Sequence, residues 1–164
     1  MEKKTKKTTD KVEETLSSKS DNDKLLNTIF NTCKLSMNSI EDVITLAKNT
    51  NFQNSISETH AKYEVISREC QMLAKAQDIT LNSVDCLTKF KNWATVQIEA
   101  FCNSSTQSLA KILYGGTCCE IAEVVVQITN CDTADKDIIS LAEKLSSLQE
   151  YHIHDLKKYL SIKE

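Results

Sequence analysis

The chain has 164 residues, of which 40% are hydrophobic and 26% are charged, and its formal net charge is -3. This length predicts one domain that is large enough to bury a single core. Proline is absent and Gly115 and Gly116 are the only glycines, which excludes a sheet-rich fold because sheets use both residue types in their turns.

The charge balance gives no basic face for nucleic acid or for an anionic membrane, so we expect neither partner. No uncharged apolar run reaches the 18 or so residues that span a bilayer. The first eleven residues, MEKKTKKTTDK, are not followed by the apolar segment of a secretory signal. These features predict a cytoplasmic protein.

The cysteine pattern favours free thiols. Seven cysteines are present, an odd number without any C-x-x-C pair, whereas structural zinc sites use close pairs and secreted disulfide frameworks prefer even counts. We expect most of these thiols to be small buried apolar groups in a reducing compartment.

The N-terminal segment is polar. Beyond Met1, residues 1–22 contain Val12 and Leu16 as the only sizeable apolar side chains, which is too little to offset the entropy of ordering. The sequence therefore predicts a disordered tail over residues 1–22 and a helical bundle domain over residues 23–162.

Apolar residues at steps of three and four predict the helices of this bundle. The first begins near Asn22 or Asp23 and ends around residues 49–51, and a second follows after a short turn, which makes the two antiparallel neighbours. The second ends near Ala76. The predicted buried stripes are Leu26, Ile29, Phe30, Cys33, Met37, Ile40, Val43, Ile44 and Ala47 in the first helix, and Phe52, Ile56, His60, Tyr63, Ile66, Cys70 and Leu73 in the second.

The second half of the chain has two further apolar sets after a helical segment at residues 83–102. One set predicts a helix near residues 109–128, and the last predicts a helix from Asp132 or Thr133 to about Leu160. The residues expected to be buried are Leu109, Ile112, Leu113, Ile121, Val124, Val125 and Ile128 in the former, and Ile138, Leu141, Leu145, Leu148, His152, Leu156 and Tyr159 in the latter.

A weak internal repeat relates the two halves. A shift of 84 residues places Met37 on Ile121, and a shift of 85 places Ser67 on His152. This favours two helical hairpins joined by a long crossover at residues 83–102, with both glycines inside the third helix. The alternative is one long third helix over residues 83–114 with the glycines as its turn.

The chain resembles a family of small, largely uncharacterised ferritin-like bundles from anaerobic Gram-positive bacteria. The resemblance covers residues 25–160 and rests on the motifs IFNTCKLSMNSIEDVI, Tyr63-Glu64, SLAKILYGGTCCEIAEV and SLQEYHIHDLKKYL. It implies an all-α, antiparallel four-helix bundle related to the rubrerythrin and ferritin superfamily, with no activity established for the family. This chain has more cysteine than the family pattern, and it has Gln149 where a glutamate is usual.

The candidate metal ligands form an incomplete set. A di-iron or di-manganese bundle needs four carboxylates and two histidines, with Glu-x-x-His on two helices, because residues three apart share a helix face. Here Glu64 is followed by Ser67, and His152 is preceded by Gln149. Further carboxylates on the first and third helices are Glu41, Asp42, Glu120 and Glu123, of which Glu41 and Glu120 could flank the buried stripes. We therefore expect no bound metal and interpret these residues as a polar layer.

Two other groups of residues have possible chemistry. His60 could meet His152 across the bundle, while His154, two residues from His152, should face solvent. Cys118 and Cys119 are adjacent, and adjacent thiols can bind soft metals, although no basic residue stands beside them to activate them.

Three hypotheses follow. The first is a non-enzymatic ferritin-like bundle that has lost its metal site and has a structural or interaction role, with an unidentified protein partner or a homo-oligomer. The second is a metal-binding bundle, an oxidoreductase or a storage protein, in which an altered set including Glu64, His152 and Glu120 or His60 holds iron or manganese. The third is a thiol-based stress or metal sensor that uses Cys118 and Cys119.

Overall fold

A computed structural model describes residues 2–82 and 105–161 of the chain, and the side chains from residue 16 onward within them. The described part is all-α. Its helices are α1 (Glu2–Leu46), α2 (Thr50–Ala76), α3 (Thr106–Asn130) and α4 (Lys136–Leu160). None of them carries an apolar stretch long enough to cross a bilayer.

The four helices pack as a bundle in which α1 and α4 each lie beside both α2 and α3. Contacts between side chains fix their directions. Asp21 bonds to Thr133 and Ser36 bonds to Glu120, so α1 and α3 are antiparallel. Lys144 bonds to Glu69, and Gln77 bonds to Asp135, so α2 and α4 are antiparallel as well. The fold class predicted from the sequence, an antiparallel four-helix bundle, is confirmed.

This order leaves α2 and α3 parallel to each other, so the end of α2 and the start of α3 lie at opposite ends of the bundle. The end of α2 lies with Asn22 and Asp135, whereas the start of α3 lies with the last residue of α4, because Gln107 bonds to the Leu160 carbonyl. A single long crossover of this kind is the connectivity of ferritin-like bundles. The helical crossover that the sequence predicts for residues 83–102 lies outside the described residues.

One apolar core runs through the bundle, and it contains most of the predicted stripes. Among the described helices, α2 and α4 bury the largest share of the residues predicted for their stripes. Phe52, Ile56 and Tyr63 in α2 are all fully buried. The remaining fully buried members include Leu25, Leu26, Ile29, Cys33, Ile40, Cys70, Val124, Ile138, Leu145 and Leu156. Val125 of the third set was predicted to be buried and is instead half-exposed.

The predicted start of the first helix is wrong, because α1 begins at Glu2 rather than near Asn22 or Asp23. No proline or glycine interrupts residues 2–22, and Asp21 and Asn22 do not cap α1. They are buried and bind the turn before α4 instead: Asp21 accepts the Thr133 hydroxyl at 2.6 Å, and Asn22 accepts the Asp135 amide at 2.7 Å. The disorder of residues 1–22 stays a prediction.

The other boundaries follow local chemistry. Asn49 caps α2 by accepting the Phe52 amide at 3.0 Å, as expected for the weak helix formers at residues 49–51. Asp78 has a left-handed φ of 54° just beyond α2, where the sequence predicted a break. The last helix begins at Lys136, later than the predicted Asp132 or Thr133, because residues 131–135 form the turn that α1 holds.

The third helix decides between the two interpretations of the glycine pair. Ser105 caps α3 by accepting the Ser108 amide, and the helix continues through Gly115 and Gly116 to Asn130. The arrangement of two hairpins is confirmed, and the single helix over residues 83–114 with a glycine turn is wrong.

Candidate functional site

A group of polar side chains occupies the middle of the bundle. We call it the central polar layer, and it comprises Ser36 of α1, Tyr63 of α2, Thr117 and Glu120 of α3, and Gln149 and His152 of α4. All six side chains are buried, and Tyr63 and Gln149 are completely inaccessible. The layer is therefore built by all four helices at the same height.

Glu120 is the carboxyl group of this layer. The Ser36 hydroxyl donates a hydrogen bond to Glu120 Oε2 at 2.5 Å. Burial raises the pKa of Glu120 to about 7, and the Ser36 hydroxyl and the nearby Gln149 amide counteract part of that effect. At neutral pH the group thus exchanges between its neutral and its charged form, as ordinary exposed carboxylates do not.

His152 is the imidazole of the layer, and its hydrogen bonds define its tautomer. The Thr117 hydroxyl donates to the Leu113 carbonyl at 2.8 Å, and Thr117 Oγ1 lies 3.3 Å from His152 Nδ1. A hydroxyl has a single proton, so Thr117 must accept from Nδ1–H. Burial lowers the pKa of His152 to about 4, against a smaller opposing effect of Asp155. The ring is therefore neutral at pH 7, with a free lone pair on Nε2.

Four buried atoms of the layer have no hydrogen-bond partner within the protein: Tyr63 Oη, both amide atoms of Gln149, and His152 Nε2. The Tyr63 ring meets the His152 ring edge to face, with centroids 6.2 Å apart. Ser36 lies close enough to Tyr63 to lower the pKa of the phenol, and Gln149 lies close enough to Glu120 to lower the pKa of the carboxyl group. Neither the Tyr63 hydroxyl nor the Gln149 amide has the geometry of a hydrogen bond in these contacts. Buried polar atoms without a partner are rare and destabilising.

The layer does not fit a dinuclear metal centre. Glu64 is half-exposed and pairs with Arg68 at 2.5 Å, so it does not join His152. Ser67 is buried but is a hydroxyl where the di-metal pattern has an imidazole. Glu123 is exposed and bonds to Gln127. Among the side chains that the structure describes, no group of three or more His, Cys, Asp or Glu residues could hold a metal ion.

The other two histidines lie away from the layer. His60 Nε2 is 2.9 Å from Glu41 Oε1, between α2 and α1 near the surface, so the contact with His152 that the sequence left open is not formed. His154 is exposed, as predicted.

The cysteines divide into two classes. Cys33, Cys70 and Cys131 are buried, and burial raises the pKa of the Cys70 thiol to about 12. The expectation of buried thiols is wrong for the adjacent pair, since Cys118 is partly exposed and Cys119 is exposed. The other two cysteines, Cys86 and Cys102, lie outside the described residues.

Sequence reasoning identified Glu120, Gln149 and His152 as candidates but did not single out Ser36 or Thr117. A signal for Ser36 exists, because the 84-residue shift of the internal repeat places Ser36 on Glu120, and these two residues are bonded partners. No sequence signal marks Thr117, whose role depends on the rotamer that brings its hydroxyl to His152.

No family model, no curated protein and no solved structure matches this chain.

Proposed function

We propose that this protein is a non-enzymatic, ferritin-like helical bundle with a degenerate metal site and a structural or interaction role. The observation that carries the proposal is the composition of the central polar layer. Glu120 and His152 are the only carboxyl and imidazole groups of the layer, and the neutral side chains Ser36 and Gln149 face them.

Two ligands are too few for a stable di-iron or di-manganese centre. Such centres in helical bundles use four carboxylates and two histidines, and each ligand must be deprotonated before it binds. With a pKa of about 7, Glu120 would also lose part of its metal affinity to competition by protons at neutral pH.

The space around the layer supports a non-catalytic role. The cavity beside Glu120 and His152 gives the centre of a water molecule about 10 Å³ of room, whereas substrate pockets usually have roughly 300–1,000 Å³. The polar groups thus lie where a substrate has no room to reach them.

A ferritin-like ancestry is supported by the connectivity, in which one long crossover separates two antiparallel hairpins. The bonded pair Ser36 and Glu120, which the internal repeat makes equivalent, also supports it. A cytoplasmic location, and an unidentified protein partner or self-association, belong to this proposal.

Metal analysis tests the proposal. Protein purified without chelator from cells grown with added iron and manganese should contain far less than one metal ion per chain, and Glu120→Gln should contain the same amount. About two ions per chain would overturn the proposal. A smaller content that falls in Glu120→Gln but not in the surface control Glu64→Gln would favour the altered metal site instead.

A thiol sensor is the second candidate, and the exposure of Cys119 beside the partly exposed Cys118 favours it. A trivalent arsenical with two free coordination positions would bind once per chain to such a pair. Binding should disappear in Cys118→Ser/Cys119→Ser and persist in the buried control Cys131→Ser. Equal binding by both variants would remove this candidate.

A further inference from the structure

The cavity beside the central polar layer has the size and the wall chemistry of a site for one very small polar molecule. Its polar wall is formed by Ser36, Ser39, Thr117, Glu120 and His152, and Gly116 closes one side without a side chain. Ile112 and Leu113 complete it. It therefore lies between α1, α3 and α4, directly against Glu120 and His152.

One residue that lines the cavity, His152, has an acceptor that the protein does not use. His152 is 2% exposed, and its Nε2 has no partner in the protein although Nδ1 is engaged by Thr117. The tautomer derived above leaves a lone pair on Nε2, so the site requires a hydrogen-bond donor. Glu120, in the same wall, has one oxygen bonded to Ser36 and can accept a further bond at its other oxygen.

We propose that this cavity binds one internal water molecule, which donates one hydrogen bond to His152 Nε2 and the other to the carboxyl group of Glu120. A volume of about 10 Å³ for the water centre is at the lower limit that holds a single water. Internal waters make roughly two to four hydrogen bonds to buried polar groups, so these two bonds are sufficient; the Ser36 and Ser39 hydroxyls already donate to Glu120 and to the Leu35 carbonyl.

The proposal does not depend on the proposed function, because it concerns a neutral ligand rather than a metal. A charged ligand fits the wall less well: His152 is neutral at pH 7 and Glu120 is partly neutral, so the wall has little net charge to balance an ion. Metal content is measured on the same sample, so that a bound metal and a bound water are distinguished.

The two adjacent glycines supply a matched pair of variants. Gly116 lines the cavity, so the methyl group of Gly116→Ala would take the place of the water. Gly115 does not line it, and Gly115→Ala makes the same change of helix propensity in the same helix. A difference between the two variants therefore reports on the cavity.

The experiment is oxygen-17 relaxation dispersion of solvent water with the full chain. The wild type and Gly115→Ala should show equal dispersion amplitudes, and Gly116→Ala should lose an amplitude equal to one long-lived water molecule. Equal amplitudes in all three proteins would overturn the proposal.

A second measurement uses the wild type alone and so does not depend on the folding of a variant. A water molecule on Nε2 should give a nuclear Overhauser effect between water and the His152 Hε1 proton. Absence of this effect, with Nε2 bonded to Gln149 or Tyr63 in a crystal structure, would also overturn the proposal.

Discussion

Among single residues, the central polar layer combines two ionisable groups whose pKa values are shifted in opposite directions by the same cause. Burial disfavours the charged form of each, so the pKa of Glu120 is raised to about 7 and that of His152 is lowered to about 4. Their contributions to stability therefore change with pH in opposite senses.

For Glu120, the pKa in the folded state lies above the ordinary value of 4.5 that the group has in the unfolded chain. The raised pKa contributes roughly 3 kcal/mol to the free energy of unfolding. This contribution is fully present below pH 4.5 and is lost as the pH rises through about 7. For His152, the folded pKa of about 4 lies below 6.5. Its contribution is complete above pH 6.5 and is lost as the pH falls through about 4, by a similar amount.

The first prediction is that Glu120→Gln changes the pH dependence of the free energy of unfolding. The variant keeps the size of the side chain but cannot ionise, so it loses the decline between pH 4.5 and 7. Urea unfolding at a series of pH values should show the difference between variant and wild type growing by roughly 3 kcal/mol in favour of the variant across this range. Parallel curves for the two proteins would show that Glu120 titrates normally.

The second prediction concerns Ser36→Ala, which removes the hydroxyl bonded to Glu120. A hydrogen bond to a charged group contributes more than one to a neutral group, roughly 1.5–3 against 0.5–1.5 kcal/mol. The variant should thus be destabilised more at pH 8.5 than at pH 5.5 in urea unfolding. Ser39→Ala is the control, since Ser39 donates to the Leu35 carbonyl of its own helix and should show no such pH effect.

The central polar layer was only partly predictable from the sequence. Spacing identified His152 and Gln149 because both lie on the buried face of an amphipathic helix. The same reasoning placed Glu64 beside them, but Glu64 sits one position beyond Tyr63, and the helix rotation that buries Tyr63 turns Glu64 toward Arg68. A three-residue motif does not specify which of its members face inward, whereas the complete apolar stripe does.

Among the secondary structure elements, three of the four helices meet in a group of polar contacts at one end of the bundle. Asn22 of α1 donates to Gln77 Oε1 at 2.8 Å and accepts the Asp135 amide at 2.7 Å, and Gln77 Nε2 donates to Asp135 Oδ2. Asp135 is the N-cap of α4 but makes no side-chain cap bond within that helix. The first helix thus supplies part of the capping that the fourth helix lacks.

The third prediction tests this contact. Asn22→Ala removes both bonds and leaves the Asp135 amide without its acceptor, which should lower the free energy of unfolding by about 1–2 kcal/mol. Asn54→Ala, at an exposed position inside α2, is the matched control and should change stability by less than about 0.5 kcal/mol. Urea midpoints that fall equally in both variants would assign the loss to something other than the end contact.

The helix boundaries show which local signals are reliable. Asn49 was part of a correctly predicted boundary because its side chain caps the residue three positions on, within the same segment. Asp21 and Asn22 have the same capping ability but use it across a sequence distance of more than 100 residues. Such a contact cannot be inferred from a local pattern, so the predicted start of α1 came too late and that of α4 too early.

For the whole molecule, the absence of proline and the sustained apolar periodicity were sufficient to predict a helical bundle. The connectivity required more information, since two hairpins can be joined in either relative direction. The sequence favoured a crossover only through the weak internal repeat, and the contacts at the two ends of the bundle establish it. The polar end contacts and the Ser36–Glu120 pair together fix the register of α1 against α3.

The fourth prediction is a distance that follows from this connectivity. If α2 ends at the opposite end of the bundle from the start of α3, residues 78 and 107 are separated by about the length of α3. Its 25 residues span about 37 Å at a rise of 1.5 Å each. Spin labels on genetically encoded ketone side chains at these positions, which avoid the native thiols, should give a dipolar distance of about 40 Å. A control pair at positions 78 and 132, which share one end, should be less than half as far apart. A short distance for the 78–107 pair together with a long one for the 78–132 pair would mean that α3 begins beside the end of α2, and the up–down–down–up order of the helices would then be wrong.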